Sequence, residues 1–313
     1  MTAQILDGKT LAAKIRQDLA DKIAKTTSED LPVLAVIRVG DNEASKIYVR
    51  NKQKAATEIG MGCEVIELSD SIGENALIEI IHELNDNPHT NGIIVQLPLP
   101  KHLNELTILS EIRPEKDVDG FTPYNTGLLS YNHPEGIISA TPKGVLRLLN
   151  ETGIDLSGKQ ALVIGRSNIV GKPLAMLLMH NNCTVTIAHS KTTDLPSLVK
   201  QADIVVAACG RAKMIKGEWL KKGAVVIDVG INRIEGKLCG DVDFESAKEV
   251  ASFITPVPGG VGPMTIAMLL ENTFEAFLRQ QKEHHGHCVH HHAEDCHCNH
   301  SHDKNHHCCC HHH

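Results

Sequence analysis

Positive charge is in short supply in this chain: 31 Lys and Arg stand against 38 Asp and Glu, a formal net charge of −7 at pH 7. Holding a nucleic acid takes a basic surface that neutralises phosphates, so no nucleic-acid partner is expected. Long apolar runs are missing too. Runs such as 92–97 and 224–229 fall far short of the roughly 20 residues that a bilayer-spanning helix needs, so no membrane partner is expected. Residues 1–7 carry neither a basic n-region nor an apolar h-region, which makes the cytoplasm the expected compartment. Cysteine is sparse over most of the chain. Of 10 Cys, only Cys63, Cys183, Cys209 and Cys239 precede residue 284; each stands singly in an apolar, strand-like setting and reads as a reduced core thiol. No internal repeat is found.

The composition that is present is globular: 313 residues, 42% hydrophobic and 22% charged, enough for about two domains with packed cores. Over 8–26, Leu11, Ile15, Leu19 and Ile23 recur every four positions and predict an amphipathic helix. A strand at 33–39, a helix at 45–59, a strand at 64–68, a helix at 74–84 and a strand at 92–97 follow. After a Pro- and Gly-rich stretch, 114–142, a helix at 143–151 opens a second series with strands at 160–164, 184–188, 204–207, 224–229 and 252–254. Such alternation implies right-handed crossovers and largely parallel sheets covered by helices. The segment 231–242, centred on Glu235-Gly236, predicts a β-hairpin. A helix over 264–281 closes the folded part. The expected fold class is therefore α/β with two domains: an N-terminal α/β domain over 1–138, completed by the 264–281 helix, and a Rossmann-type dinucleotide-binding domain over 139–263.

The strand at 160–164 runs into Gly165-Arg166-Ser167-Asn168-Ile169-Val170-Gly171-Lys172-Pro173 and then an apolar helix with Leu174, Leu177 and Leu178. Strand, tight glycine turn and helix N-terminus present free N–H groups and a positive dipole end to a pyrophosphate. The pattern departs from G-x-G-x-x-G, because Ser167 replaces the second glycine and the closing Gly171 comes at a different spacing. On the motif alone, a plain chain turn stays open. An NAD site carries an Asp or Glu about 20 residues on, for the ribose hydroxyls. Here the second strand ends at Ala188-His189-Ser190-Lys191-Thr192, and no carboxylate comes before Asp194. Arg166 and Ser190, with Lys191 adding positive field, suit a 2′-phosphate instead, so NADP is the expected cofactor. The alternative for Ser190 and Lys191 is an ordinary polar loop.

In the first half, Tyr48 and Lys52 lie four residues apart and so share one helix face. Lys46 and Lys54 read as solvated. Gln96 closes an apolar strand, at the end of a parallel sheet where polar groups line the usual ligand crevice; a satisfied strand-end amide is the competing reading. Asp117-Val118-Asp119-Gly120 sits in a Gly/Pro-rich loop, where Asx-type turn chemistry is the plain expectation.

Taken together, the motifs carry more. Val39-Gly40-Asp41-Asn42-Glu43-Ala44-Ser45 with Tyr48-Val49-x-x-Lys52, then Val95-Gln96-Leu97-Pro98-Leu99-Pro100, Lys116-Asp117-Val118-Asp119-Gly120, the 165–173 turn and Pro256-Val257-Pro258-Gly259-Gly260-Val261-Gly262-Pro263-Met264-Thr265 resemble the bifunctional methylenetetrahydrofolate dehydrogenase/cyclohydrolase family, in order over roughly 1–281. The resemblance implies NADP-dependent oxidation of 5,10-methylenetetrahydrofolate to the methenyl form, then hydrolysis to 10-formyltetrahydrofolate, in one cleft between two domains. It implies Lys52 as the catalytic lysine, Gln96 orienting its amine, Tyr48 stacking on the folate and Asp119 accepting N–H bonds from the pterin. The loop with Pro258, Gly259, Gly260, Gly262 and Pro263 would close over the substrate. For the cofactor it implies Gly165, Arg166, Ser167, Ile169, Val170, Gly171, Ser190 and Ile231. A free lysine titrates near 10.4, so proton transfer around neutral pH asks for a lowering worth about 4 kcal/mol, which an apolar cleft can supply. A dehydrogenase without the hydrolytic step is a further reading, against which Lys52, Tyr48 and Gln96 all stand. Ala140 departs from the family, whose members often have Cys there, with nothing essential put in doubt. The resemblance also implies a homodimer through the cofactor domains, using the 231–242 hairpin, although an edge strand is only permissive of pairing.

The last thirty residues are a different object. Residues 284–313 hold 14 of the 20 His and six Cys, without apolar periodicity, and predict a His/Cys-rich tail over 282–313 that is disordered without metal. Imidazole and thiolate suit zinc, nickel and copper, with Cys288, His290, Cys296, His297 and Cys298 as candidate ligands. No paired C-x-x-C occurs, so the expected binding is heterogeneous. This leaves a second class of function open, a metal-binding or metal-carrying protein on a retained dehydrogenase scaffold.

Overall fold

A computed structural model describes residues 2–26 and 31–291, with side chains as far as Lys282. The elements in order are β1 (Gln4–Ile5), α1 (Gly8–Ala24), β2 (Val33–Val39), α2 (Glu43–Glu58), β3 (Gly62–Leu68), α3 (Glu74–Asp86), β4 (Gly92–Val95), α4 (Glu105–Ser110), α5 (Pro123–Ser130) and α6 (Ala140–Asn150). There follow β5 (Gln160–Ile164), α7 (Gly171–His180), β6 (Thr184–Ala188), α8 (Leu195–Gln201), β7 (Ile204–Ala207), β8 (Val225–Asp228), β9 (Asn232–Ile234), β10 (Lys237–Cys239), α9 (Phe244–Ala247), β11 (Phe253–Ile254) and α10 (Val261–His291).

Two parallel sheets organise the chain. The first has the order β3-β2-β4, and the second the order β1-β11-β8-β7-β5-β6. The hairpin β9-β10 stands apart as an antiparallel pair. Its turn uses Glu235 and Gly236, both at positive φ (50° and 79°), as a tight two-residue hairpin turn requires. Strands β4, β7 and β8 are buried at every residue, which is the expected state of parallel strands covered on both faces. Helix α10 packs against α1 and α6, and Met264, Met268, Leu269, Leu270 and Phe277 are sealed from solvent. They belong to one apolar cluster that reaches Leu34, Val36 and Ile94 of the first sheet and Val163, Val206 and Ile227 of the second.

The N-terminus crosses between the sheets. β1 pairs with β11, at the far end of the chain, whereas the sequence pattern indicated no element there; a two-residue strand has no periodicity to read. Helix α1 then starts against the 256–263 loop. A Cβ on Gly8 would lie 1.9 Å from the Gly260 oxygen, and the Lys9 N–H donates to the Gly259 carbonyl at 2.9 Å. Only glycine permits that approach. Two short helices, α4 and α5, were also not anticipated. In α5 the proline that suggested a loop, Pro123, occupies the first turn after the Thr122 cap, a position that proline favours. The α10 backbone stays helical to His291, past the 281 end of its apolar pattern, because an established helix gains a hydrogen bond with each residue it adds. The side chains of Cys288 and His290, and all of Cys296, His297 and Cys298, lie outside the described residues.

Buried carboxylates tie down the loops at the C-terminal edge of the second sheet. Asp228 accepts from the N–H groups of Gly230, Asp241 and Val242, each at 2.9 Å. Asp241 in turn accepts from Cys209, Gly210 and Arg211 N–H groups at 2.7–2.9 Å and from Asn232 Nδ2 at 2.9 Å. Burial pushes the Asp228 carboxyl up to about 6, against these donors. Replacing Asp228 by Asn should lower stability by about 1–3 kcal/mol, since one acceptor oxygen becomes a donor facing N–H groups. Thermal unfolding followed by circular dichroism checks this; an unchanged Tm would count against the network.

Candidate active site

Helix α2 carries the central residues. Asn42 caps it, its side chain accepting from Ser45 N–H at 3.1 Å, and Ala44, Tyr48 and Lys52 follow at four-residue steps along one stripe. Lys52 is buried, 8% exposed, and its Nζ donates to Gln96 Oε1 at 3.1 Å. Gln96 follows β4, and its Nε2 donates to the Leu97 carbonyl at 2.7 Å. That second bond decides the amide's orientation: the oxygen is left facing the ammonium. Both halves of the expected Lys52 and Gln96 pair are therefore brought together across 44 residues of chain.

The two aspartates of the 116–120 loop separate into different tasks. Asp117 accepts from Phe121 N–H, Thr122 N–H and Asn125 Nδ2 at 2.8–3.1 Å, the turn chemistry anticipated for it. Lys116 donates to the Leu84, Asn85 and Asn87 carbonyls at 2.7–3.0 Å, closing the end of α3. Asp119 is left without a hydrogen bond among the described residues. Its carboxyl is raised above the usual range by burial, with the Lys52 ammonium pulling it down and Asp117 pushing it up. The same loop is held to α10, where Asn272 Nδ2 donates to the Val118 and Ile138 carbonyls.

Tyr48, 40% exposed, lines a cleft of about 540 Å³. Ala44, Ile47 and Asn51 join it on the α2 side, the whole of 256–263 forms a second wall, and Asp228, Ile231, Arg233 and Leu238 form the third. Pro258, Gly259, Gly260, Gly262 and Pro263 thus line the same cleft as Tyr48. Of the expected cofactor residues, Ile231 belongs to this cleft and not to the glycine turn. Asn51, Arg233 and Leu238 were missed; nothing in the local pattern of a hairpin tells which of its faces meets a helix from another domain.

A second pocket, about 390 Å³, contains Gly165, Arg166 and Ser190 with His189, Thr192, Cys209 and Arg211. Lys191 does not line it. The turn between β5 and α7 is made for close approach: a Cβ on Gly165 would lie 2.2 Å from the Ala208 oxygen, and one on Gly171 2.2 Å from the Gly165 oxygen. Ser167 Oγ accepts from the N–H groups of Val170 and Gly171, which replaces the missing second glycine's service to the helix start. The N–H groups of Ser167, Asn168 and Ile169 have no acceptor among the described residues and precede the positive end of a ten-residue helix. A pyrophosphate fits this donor set, and the Arg166 and Ser190 side chains beside it fit a further phosphate.

Comparison with known proteins identifies the family. The profile for the tetrahydrofolate dehydrogenase/cyclohydrolase catalytic domain matches residues 6–119, and that for the NAD(P)-binding domain matches 139–281. The chain belongs to the tetrahydrofolate dehydrogenase/cyclohydrolase family. A bifunctional protein FolD from Streptococcus thermophilus is 53% identical over 283 residues, covering 90% of this chain and 99% of its own. The crystal structure of a bifunctional FolD dehydrogenase/cyclohydrolase from Campylobacter jejuni superimposes with a TM-score of 0.88 at 47% identity, covering 89% of this chain and 99% of that one. A family structure from Trypanosoma brucei, solved with NADP cofactor and inhibitor, gives 0.86 at 39% identity over 89% and 98% of the two chains. The family match ends at residue 281, which leaves the His/Cys-rich segment outside it.

Proposed function

We propose that this protein oxidises 5,10-methylenetetrahydrofolate with NADP and hydrolyses the methenyl product to 10-formyltetrahydrofolate, both in the cleft between α2 and the 256–263 loop. The observation that carries this reading is the buried Lys52 ammonium held by Gln96, one helical turn below the Tyr48 ring, in a chain of this family. NADP, when bound, supplies the acceptor for the hydride that leaves the one-carbon bridge. The two nitrogens flanking that carbon stabilise the resulting cation, so the protein's task in this step is orientation. Tyr48 offers a flat face for a conjugated ligand. The uncommitted Asp119 offers two oxygens to paired pterin N–H groups.

Hydrolysis makes other demands. Water adds to the cationic carbon and loses one proton to give a carbinolamine; the carbinol O–H then gives up its proton as the bond from carbon to the pterin nitrogen breaks and that nitrogen takes one up, so one proton is released overall and the formyl group stays on the other nitrogen. The Lys52 ammonium is the group placed to give a proton to the pterin nitrogen and recover one from the carbinol O–H, and Gln96 keeps it aimed. Cofactor choice rests on Arg166 and Ser190 sharing one pocket and on the absence of a carboxylate from it. A homodimer is supported by the uncovered edge strand β6, with Ile187 exposed, and by Ile234 on the outer face of the hairpin. For the His/Cys-rich segment we infer binding of zinc, nickel or copper ions, supported by six Cys and 14 His within 284–313 and independent of the enzyme's cleft.

Lys52→Met should suppress hydrolysis of the methenyl compound by about 100-fold or more, the usual worth of a positioned proton-transfer group, while NADP binding changes little. Decay of the methenyl absorbance and NADP titration measure the two; equal loss of both in a folded variant would refute the role. Arg166→Ala should raise the KM for NADP by about tenfold, with little change for NAD, as expected for loss of a charge-assisted contact. Steady-state kinetics with each nucleotide tests that, and parallel effects would remove the 2′-phosphate assignment. Deleting 284–313 should abolish uptake of zinc or nickel in equilibrium dialysis and leave dehydrogenase turnover intact. Metal retained by the truncated protein would overturn the inference about the segment.

A further inference from the structure

The far end of α10 is fastened to the folded body just before the His/Cys-rich segment begins. Gln280 Nε2 donates to the Asn91 and Glu115 carbonyls at 3.0 and 3.2 Å, and Asn91 Nδ2 donates to Gln280 Oε1 at 3.0 Å. Beside it, the Arg279 guanidinium donates to the Glu135 carbonyl at 2.6 Å and to the Pro134 carbonyl at 3.4 Å. Phe277, one turn earlier, is sealed in the core. From this anchored turn the backbone stays helical to His291, about three turns past Gln280.

That continuation gives a register to residues that would have none in an open chain. Steps of four, three and four residues from Gln280 reach His284, His287 and His291, and Cys288 follows His287 directly. His284 and Cys288 stand at i and i+4, and so do His287 and His291. All four therefore share one stripe of the helix, about two turns long. Two ligating residues at i and i+4 on one helix face is the spacing that brings both to a single zinc ion, and imidazole with thiolate is a zinc donor set. The stripe also occupies the C-terminal end of α10, where the aligned carbonyls favour a cation. The starting cost of a helix is its first turn. Here the anchored part of α10 has already met that cost, so an ion has only to hold the last two turns. Gly286 lies within them and weakens them, since glycine gains least from helix formation apart from proline.

We propose that His284, His287, Cys288 and His291 form a zinc site on the last two turns of α10, the tightest that the His/Cys-rich segment offers, and that occupying it holds those turns helical. This rests on the inference above that the segment binds metal ions. It adds that the first ion is taken by a helix the enzyme itself anchors, ahead of the remaining Cys and His at 292–313.

The test titrates the full chain with zinc, and separately with cobalt(II), against a chromophoric chelator, while far-UV circular dichroism follows helix content. In the unaltered protein one equivalent should bind ahead of all others, with a gain in helicity, and cobalt should show the charge-transfer band of a thiolate ligand. Gly286→Pro leaves every His and Cys in place but interrupts the helix between them, and should weaken that first equivalent tenfold or more. Gly286→Ala should tighten it about fivefold, the difference in helix propensity between the two residues. Replacing Cys296, Cys298, Cys308, Cys309 and Cys310 together by Ser should leave it unchanged. One affinity for the first equivalent across the unaltered, Gly286→Pro and Gly286→Ala proteins would overturn the proposal, as would its loss in the five-serine variant. Failure of the unaltered chain to bind either ion would instead sink the underlying reading of the segment as metal-binding. Because the family match ends at residue 281, the thermal unfolding of the folded body should be the same in every variant.

Discussion

A buried ammonium admits few surroundings, and most of the site follows from the need to supply them for Lys52. Taking a charge out of water costs several kcal/mol unless hydrogen bonds and a counter-charge replace the solvent. Here the replacement consists of the Gln96 amide oxygen at 3.1 Å and the field of Asp119. Neither is on the helix that carries Lys52, so α2, the end of β4 and the 116–120 loop must keep fixed relative positions for the lysine to stay buried. The packing provides this. Val49, Ala55 and Ala56 of α2 and Ile94 of β4 are in the same core cluster, and Asn272 of α10 holds the loop by two carbonyls. Lys52 keeps unfilled donors, and Asp119 has unfilled acceptors. Both are what a site must hold open for a ligand and a water.

The second requirement is that the two sheets present their carboxyl edges to one space. The Pro-rich loop at 256–263 achieves this because it leaves β11 of one sheet and enters α10, which completes the core of the other. The contact of Gly8 with Gly260 and the bond from Lys9 to Gly259 fasten the loop to the helix that follows β1. Opposite it, Asp228 and Asp241 collect seven N–H donors from three loops (Cys209 to Arg211, Gly230 to Asn232, and Asp241 to Val242). Paired in this way the buried carboxylates act as rigid fasteners, where unpaired they would be a liability. They also settle which face of the β9-β10 hairpin meets the cleft, and hence where Arg233 stands.

Much of the architecture was readable because parallel strands are uniformly apolar and helices are periodic; β2, β5 and β6 match the predicted 33–39, 160–164 and 184–188 to the residue. Elements below that threshold escaped: β1 with two residues, and α5, where proline at a favoured helical position looks like a loop signal. The site was partly readable. Tyr48 and Lys52 are related by helix spacing alone, and the glycine turn declares itself by its context. The choice of Asp119 over Asp117 came from the family resemblance and not from the local pattern, because both sit in one loop with the same neighbours. In the structure, the hydrogen bonds that occupy Asp117 set the two apart.

The sequence by itself determined the α/β class, the two series of alternating elements, the glycine turn before α7 and the residue types available for proton transfer, since these depend on local periodicity and backbone freedom. The tertiary structure decided that Lys52 meets Gln96 across 44 positions, that the first strand joins the last, and that a hairpin cation faces a helix of the other domain. Those relations depend on which buried polar groups find partners, a condition that many distant residues satisfy jointly and that no single stretch of sequence contains.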